Sequence, residues 1–275
     1  MIIEGNLRKL QVTPDSPVSY QLPIGDELVA LNSLIGKSVS LTYTGEINCV
    51  HCGRKTSKSF NQGYCYPCMQ SLAECDTCLI KPELCHYYEG TCREPVWGEE
   101  HCLQDHFVYL ANTSGLKVGV TRQTNVPTRW MDQGATQALP IYRTKDRLTA
   151  GQVEVILKQH VSDKTAWQRM LKGDAEVIDL AHERDRLHAE IASEITDLNN
   201  LHDEPMVEYL ARDQLLEFTY PVSVYPDKVT SLNFDKTAVI KGSLRGIKGQ
   251  YLILDSGVLN IRKFSGYKIS LQLAD

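Results

Sequence analysis

Nine cysteines, all between residues 49 and 102, constrain the fold of this 275-residue chain more than any other feature of its sequence. The chain has no apolar run of the roughly 20 residues that a membrane-spanning helix needs, and its first residues lack the apolar core of a signal peptide. We therefore expect a cytoplasmic protein with no membrane partner, in which the thiols stay reduced. Reduced thiols clustered in this way more often bind metal than form disulfides.

The first four cysteines form two C-x2-C pairs with twelve residues between them, Cys49 with Cys52 and Cys65 with Cys68. Each pair presents two thiolates to one ion, and two pairs complete a tetrahedral site. We predict a structural Zn²⁺ here. Four thiolates leave no open position for water or substrate, so any chemistry must lie elsewhere in the chain.

The five later cysteines are a second set of candidate metal ligands: Cys75, Cys78, Cys85, Cys92 and Cys102. Cys75 and Cys78 form a third C-x2-C pair, which could join two of the other three in a second zinc site. The sequence does not say which two. Ligands shared with the first four cysteines, an iron–sulfur cluster on the same thiolates and free cysteines are the alternatives.

The hydrophobic pattern predicts an α+β protein of several parts. These are an N-terminal β segment (1–48), a cysteine-rich zinc module (49–106), a small α/β core (107–160), a helical segment (161–217) and a small C-terminal β domain (218–275) that forms a barrel or a sandwich. Within the core, the predicted order of elements is β-β-α-β-α.

The net charge of −5 argues against a general nucleic-acid binder, but the charge is unevenly distributed. Residues 107–147 hold six basic and two acidic side chains, and residues 219–275 hold eight and four. Residues 148–218 hold seven and fifteen, which predicts a solvated helical face or a contact with a protein partner. The basic segments are compatible with a phosphate-binding face.

Basic residues alternate with aromatic residues in the C-terminal strands, which is typical of a platform for single-stranded nucleic acid. Our candidate nucleic-acid contacts are Arg122, Arg245, Lys248 and Arg262. The alternative is an ordinary solvated surface of a small β domain.

Residues 107–160 resemble a divergent GIY-YIG nuclease core, a family that folds as β-β-α-β-α. The elements that carry the resemblance are, in chain order, Phe107-Val108-Tyr109, Lys117-Val118-Gly119, Arg129 and Glu154. Phe107 and Lys117 replace the usual glycine and tyrosine, and the two strand elements are closer together than is usual. Gln133 lies where many members have a histidine. A Lys at the second element also resembles a subgroup of the family.

The resemblance implies metal-assisted cleavage of phosphodiester bonds in DNA or RNA. Glu154 would hold one divalent ion, Mg²⁺ or Mn²⁺, against the scissile phosphate. Arg129 would stabilise charge on the phosphoryl oxygens, and Tyr109 would help to activate water, with Lys117 beside it in the second element. The competing expectation is a non-catalytic binding protein with a degenerate core, which the changes at Phe107 and Lys117 favour.

A second resemblance extends over nearly the whole chain, to an uncharacterised prokaryotic family known only as a domain of unknown function. It rests on short motifs spread along the sequence: Cys65-Tyr66-Pro67-Cys68, Lys81-Pro82-Glu83-Leu84-Cys85-His86, Gly90-Thr91-Cys92-Arg93-Glu94-Pro95, Trp97-Gly98-Glu99, Gly115-Leu116-Lys117-Val118-Gly119, Arg129-Trp130-Met131-Asp132-Gln133-Gly134-Ala135 and Gly246-Ile247-Lys248-Gly249-Gln250-Tyr251. This resemblance implies no particular activity.

Overall fold

The computed structural model describes residues 2–173, 175–212 and 214–273. Its strands and α-helices are, in chain order, β1 (Ile2–Asn6), β2 (Gln11–Thr13), β3 (Ser19–Ile24), β4 (Glu27–Ala30), β5 (Ser38–Asn48), β6 (Lys55–Thr56), α1 (Tyr66–Ser71), α2 (Pro95–His101), β7 (His106–Asn112), β8 (Leu116–Arg122), α3 (Thr128–Asp132), β9 (Gln137–Thr144), α4 (Arg147–Leu157), α5 (Trp167–Lys172), α6 (Leu180–Asn200), β10 (Val207–Tyr209), β11 (Leu216–Glu217), β12 (Val239–Lys248), β13 (Tyr251–Leu254), β14 (Gly257–Asn260) and β15 (Tyr267–Leu273). Short 3-10 turns connect several of these elements.

The two ends of the chain share one antiparallel sheet of seven strands. Its order is β1-β15-β5-β12-β13-β14, and β6 pairs with β5. A separate three-stranded sheet, β2-β3-β4, packs against it, because Tyr20 and Leu22 of the small sheet belong to the same hydrophobic core as Leu41 and Ile269 of the large one.

The barrel that we expected as one form of the C-terminal domain is not present among the described strands. The N-terminal strands β1 and β5 pair with β15, and β5 also pairs with β12. The N-terminal strands thus join the sheet, but its two edge strands, β1 and β14, do not pair with each other, so the sheet stays open.

Residues 106–157 follow the predicted order, with β7, β8, α3, β9 and α4 in succession. The strands form a third antiparallel sheet, β10-β9-β7-β8, with β11 also paired to β9. One face of this sheet packs against α4 and α6 through Leu110, Val153 and Leu187. The other face packs Tyr109 against Trp130 of α3. The described chain is therefore an α+β fold with three antiparallel sheets.

The helical segment that the sequence predicts ends earlier than expected. Helix α6 ends at Asn200, and β10 and β11 follow, both paired with β9. Pro205 lies between α6 and β10, where it favours a break, and the open edge of β9 supplies hydrogen bonds that a continued helix could not use.

The cysteine module contains little regular structure. Apart from β6, α1 and α2, it consists of loops and 3-10 turns. Within the described chain, no residue from 73 to 105 belongs to a hydrophobic cluster. This segment therefore needs another source of stability. Separately, no helix in the described ranges combines the length and the apolarity that crossing a membrane requires.

Candidate functional site

The first four cysteines converge as their spacing predicts. The sulfur atoms of Cys49, Cys52, Cys65 and Cys68 all lie within 4.8 Å of one another. The Cys52 and Cys65 sulfurs are 3.8 Å apart. Zn–S bonds of about 2.3 Å in a tetrahedron require sulfur–sulfur distances of roughly 3.8 Å. The four-cysteine cluster is thus consistent with a structural metal such as Zn²⁺.

The surroundings of Cys49 favour a thiolate. Burial acts to raise the pKa of this thiol, but the backbone N–H groups of Cys52, Cys65 and His51 stabilise the charged form and lower the pKa overall. At Cys68, by contrast, burial and the neighbouring thiols raise the pKa. Several thiolates this close together need a cation among them to ionise together.

The five later cysteines separate into two environments. Cys78, Cys85, Cys92 and Cys102 line one small cavity between the turns of the module and helix α2. Cys75 does not line that cavity. It interacts with Asn61, Glu74 and Cys49, beside the first cluster, and also with Arg93.

A larger cleft of about 770 Å³ lies where the cysteine module, the core and the seven-stranded sheet meet. Six residues that the sequence analysis proposed for catalysis or nucleic-acid binding line this one cleft: Tyr109, Lys117, Arg122, Arg129, Glu154 and Arg262. They come from strands, helices and a loop that are distant in sequence. The cleft is the best candidate for the functional site.

Tyr109 and Gly119, the signature residues of the two strand elements, are direct cross-strand partners on β7 and β8. A Cβ atom at Gly119 would lie 2.7 Å from the Tyr109 hydroxyl, so the glycine makes room for the tyrosine ring. The hydroxyl donates a hydrogen bond of 2.8 Å to Oε1 of Gln133. Burial raises the pKa of Tyr109, while nearby Arg129 acts in the opposite direction. Tyr109 is therefore protonated at neutral pH.

Lys117 is 5% exposed and has no carboxylate partner among the described residues. Its Nζ lies 3.4 Å from Oγ1 of Thr165. Burial lowers the pKa of Lys117 to about 8; Arg129 lowers it further, and Glu154 opposes the shift. Lys117 is thus the amine of the cleft whose proton is most easily lost near neutral pH.

Glu154 is held in the cleft by helix α4. The helix begins after Asp146, whose carboxylate accepts a hydrogen bond of 2.8 Å from the backbone N–H of Thr149. At Gly151 the helix packs directly on the cysteine module, because a Cβ atom there would lie 2.2 Å from the backbone nitrogen of Glu83. This contact fixes the helix against the module one turn before Glu154.

Glu154 is 8% exposed. Burial raises the pKa of its carboxyl group, and Lys158 acts to lower it. Its Oε2 lies 3.2 Å from Nζ of Lys158, and that nitrogen lies 3.3 Å from Oδ2 of Asp163. Two carboxylate oxygens therefore converge on a single cationic group.

The cleft is strongly basic although the whole chain is acidic. Eight Lys and Arg side chains line it, against three Asp and Glu side chains. The arginines among them are Arg8, Arg122, Arg129, Arg147 and Arg262, and none of these pairs with a carboxylate in the part of the chain that the structure describes. Burial lowers the pKa of Arg122 and of Arg262, with Arg129 adding to the effect at Arg262.

Sequence reasoning missed several residues of the cleft, among them Arg8, Lys9, Arg147, Lys158 and Asp163. Arg8 and Lys9 lie at the opposite end of the chain from Arg262, and no local pattern could connect them. The four-residue spacing of Glu154 and Lys158 on a predicted helix was a usable signal for their ion pair.

Two candidate nucleic-acid contacts do not line the cleft. Arg245 is exposed elsewhere on β12. Lys248 is 1% exposed, and its Nζ lies 5.3 Å from the ring centre of Tyr220 and 5.6 Å from that of Tyr225. A lysine enclosed by two aromatic rings is not available to a bound strand.

Comparison with models of protein families shows which family the chain belongs to. The family described as "Protein of unknown function (DUF2797)" matches residues 36–269. The chain belongs to this family. The DUF2797 match includes both sets of cysteines and every cleft residue that the sequence predicted. Arg8 and Lys9 fall outside it. No curated protein matches the chain. No solved structure matches it.

Proposed function

We propose that this DUF2797 protein is a nucleic-acid-cleaving enzyme, a divalent-metal-dependent endonuclease of GIY-YIG-like type that binds its substrate in the cleft. The observation that carries the proposal is the meeting of Tyr109, Lys117, Arg129 and Glu154 in one basic cleft. Their order in the sequence resembles that of a GIY-YIG nuclease core, and this resemblance implies the same chemistry.

The charge of the cleft supports a phosphate ligand. Placing cations where water is partly excluded costs free energy unless an anion compensates them. Arg122, Arg129 and Arg262 line the cleft without carboxylate partners among the described residues. A phosphodiester backbone supplies the missing negative charge, and guanidinium groups match the geometry of its oxygens.

Each of these residues of the cleft has its own role in the proposed reaction. Arg129 and Arg262 stabilise negative charge on the phosphoryl oxygens as it increases during cleavage. Lys117, with a pKa of about 8, accepts a proton from the attacking water in its neutral form. Tyr109 keeps its own proton, because burial raises its pKa, and it donates a hydrogen bond that orients Gln133.

The carboxylates of the cleft fit a divalent ion in their donor chemistry. Glu154 and Asp163 offer oxygens that lie 3.2 Å and 3.3 Å from the same lysine nitrogen, and carboxylate oxygens are the ligands that Mg²⁺ and Mn²⁺ prefer. These two residues would hold the ion, with the Lys158 ammonium displaced. When bound, such an ion offsets negative charge on the scissile phosphate.

The cluster of Cys49, Cys52, Cys65 and Cys68 has a different part in this proposal. We assign Zn²⁺ to it, with the role of stabilising the module that forms one wall of the cleft. A zinc ion surrounded by four thiolates has no position left for substrate, so it takes no part in cleavage.

The first test is cleavage of labelled single-stranded, duplex and branched DNA and of RNA, with Mg²⁺ or Mn²⁺. The wild type is compared with Glu154→Gln, and Glu204→Gln serves as the control because Glu204 is an exposed carboxylate outside the cleft. We expect the wild type and the control to cleave alike and Glu154→Gln to lose at least about 100-fold in rate while still binding. Equal cleavage by Glu154→Gln would show that the active site is misplaced.

Binding is tested separately from cleavage through its dependence on salt. Replacing Arg129 and Arg262 together by Gln is expected to reduce the slope of log K against log salt concentration by about 1 to 2, because each phosphate contact contributes roughly 0.9 on duplex DNA. Arg169→Gln, on the exposed side of α5, is the control and is expected to leave the slope unchanged. An unchanged slope in the double variant would remove the cleft from the binding surface.

A second candidate function is nucleic-acid binding without cleavage. The observation in its favour is the ion pair between Lys158 and Glu154, which occupies the carboxylate that a metal ion would need. Binding that depends on Arg129 and Arg262, with no cleavage of any substrate by the zinc-loaded wild type, would establish this function in place of the first.

A further inference from the structure

The second cavity of the cysteine module has the composition of a metal site, but its four sulfur atoms are not all within 4.8 Å of one another as those of the first cluster are, so a bound ion would have to draw them together. Four of the five later cysteines line it, and its volume is about 10 Å³. A cavity of this volume holds roughly one water-sized sphere. It is enclosed by residues of the turn Thr77–Leu79, of the segment 85–87 and of helix α2.

The thiols around this cavity interact with one another. The side chains of Cys85 and Cys102 are within hydrogen-bonding reach of each other. Cys78 is close enough to Asp76, Cys85 and Cys92 to interact with them electrostatically. Cys78 and Cys102 are 7% and 4% exposed.

The segment around the cavity has no hydrophobic cluster of its own. Residues 73–105 contribute to none of the hydrophobic clusters in the described chain, and they expose Ile80, Leu84, Tyr88 and Val96 to solvent. Short turns without a core are stable in small domains when a metal ion crosslinks them.

Arg147 supplies an independent indication of negative charge at the cavity. Its guanidinium donates hydrogen bonds of 3.1 Å and 2.7 Å to the carbonyl groups of Cys78 and Leu79. The side chains of Cys102, Cys78 and Cys85 lie close enough to this guanidinium to interact with it electrostatically. A zinc ion with four thiolates carries a net charge of about −2. Such a centre would compensate this buried cation, which has no carboxylate partner among the described residues.

A competing ligand set lies at the edge of the same cavity. Donor atoms of Asp76, Cys78 and His86 lie within 4.8 Å of one another. Oδ2 of Asp76, however, lies 2.6 Å from Nε of Arg93 and 3.5 Å from Nε2 of His86, so both groups already pair with a neighbouring side chain. These groups are better suited to surround the thiolates than to replace them.

We propose that Cys78, Cys85, Cys92 and Cys102 bind a second structural zinc ion, and that Cys75 is the one cysteine that binds no metal. The nine cysteines then divide into two sets of four ligands and one free thiol. This inference concerns a site outside the cleft, and it stands whether or not the protein cleaves nucleic acid.

The test uses the zinc-loaded wild-type protein, so it does not depend on a variant that folds. Native mass spectrometry is expected to show two zinc ions per chain. Iodoacetamide under the same conditions is expected to modify one cysteine, which peptide mapping identifies as Cys75, and to modify all nine after denaturation with a chelator. Modification of Cys85, Cys92 or Cys102 in the loaded protein would overturn the proposal. So would a single zinc ion per chain, or iron with inorganic sulfide.

Variants sharpen the assignment of ligands. Cys75→Ser and His86→Ala are expected to retain two zinc ions, and Cys92→Ser is expected to retain one. Loss of a zinc ion from His86→Ala, with Cys92→Ser unchanged, would assign the ion to Asp76, Cys78 and His86 and would contradict the four-cysteine set.

Discussion

The two walls of the cleft differ in what stabilises them. The core wall, residues 106–157, buries Val108, Leu110 and Val153 in a continuous hydrophobic cluster. The opposite wall belongs to the cysteine module, whose residues 73–105 lie in none of the clusters of the described chain. The cleft is therefore built from one part that apolar burial stabilises and another for which we propose stabilisation by metal. Loss of metal should open the cleft without unfolding the core.

Removing one zinc ligand is expected to have the largest effect, and that effect should be confined to the wall formed by the cysteine module. Cys68→Ser should lose one zinc ion per chain and unfold the module, because the free energy of zinc binding, about 10–16 kcal/mol in small zinc domains, is part of the free energy of folding. Zinc content, circular dichroism and thermal unfolding measure the loss. Cys75→Ser is the matched control, with no expected change. A Cys68→Ser protein with wild-type zinc content and melting temperature would contradict the structural role of the first cluster.

A smaller effect is expected where the two walls touch. Gly151→Ala places a methyl group against the backbone of Glu83. In an exposed helix this change is stabilising by about 1 kcal/mol, but here the collision should destabilise the protein by about 2 kcal/mol and shift Glu154 away from Lys117. Denaturant unfolding and the cleavage assay measure the two consequences. A stabilised variant would mean that the helix does not pack on the module. Ser193→Ala, at an exposed position of α6, is the control.

The smallest effect is expected from Lys248, a buried lysine in a part of the molecule that apolar burial stabilises, and it concerns the dependence of stability on pH. Burial lowers the pKa of Lys248 to about 8, whereas an unfolded chain keeps the ordinary pKa of about 10.4. At pH values between these two pKa values, the unfolded state binds more protons than the folded state does, so raising the pH stabilises the folded state. The wild type should therefore gain about 1 kcal/mol relative to Lys248→Met between pH 7 and pH 9. Urea unfolding at the two pH values measures this gain. Parallel pH profiles would mean that Lys248 is solvated, and Lys263→Met, at an exposed lysine, should behave as the wild type does.

The parts of the site that the sequence predicted are those whose signals are local. Cys49 and Cys52 are three residues apart, as are Cys65 and Cys68. Each pair can therefore be recognised from the sequence alone as two candidate ligands of one metal ion. The order of strands and helices in residues 106–157 follows from alternation and from turn residues. The resemblance of Tyr109, Lys117, Arg129 and Glu154 along that pattern to a GIY-YIG core implied that they meet in one place.

The parts that the sequence did not predict depend on contacts between distant segments. Residues 201–217 contain β10 and β11 because β9 offers them an edge, which no property of their own sequence reveals. Lys248 is a basic residue in a strand, and only the packing of Tyr220 and Tyr225 around it shows that it is buried. Cys85, Cys92 and Cys102 are separated by six and nine residues without a knuckle pattern, so only the fold brings them together.

The pairing of β1 with β15 also determines when, during synthesis of the chain, the cleft can form. Strand β15 lies between β1 and β5 in the large sheet, so the strand that carries the chain toward Arg8 has no neighbour until β15 has been synthesised. Arg262 also emerges from the ribosome after the cysteine module and the core, because synthesis proceeds from the N-terminus. A nascent chain thus has the cysteine module and the core before it has the complete basic cleft.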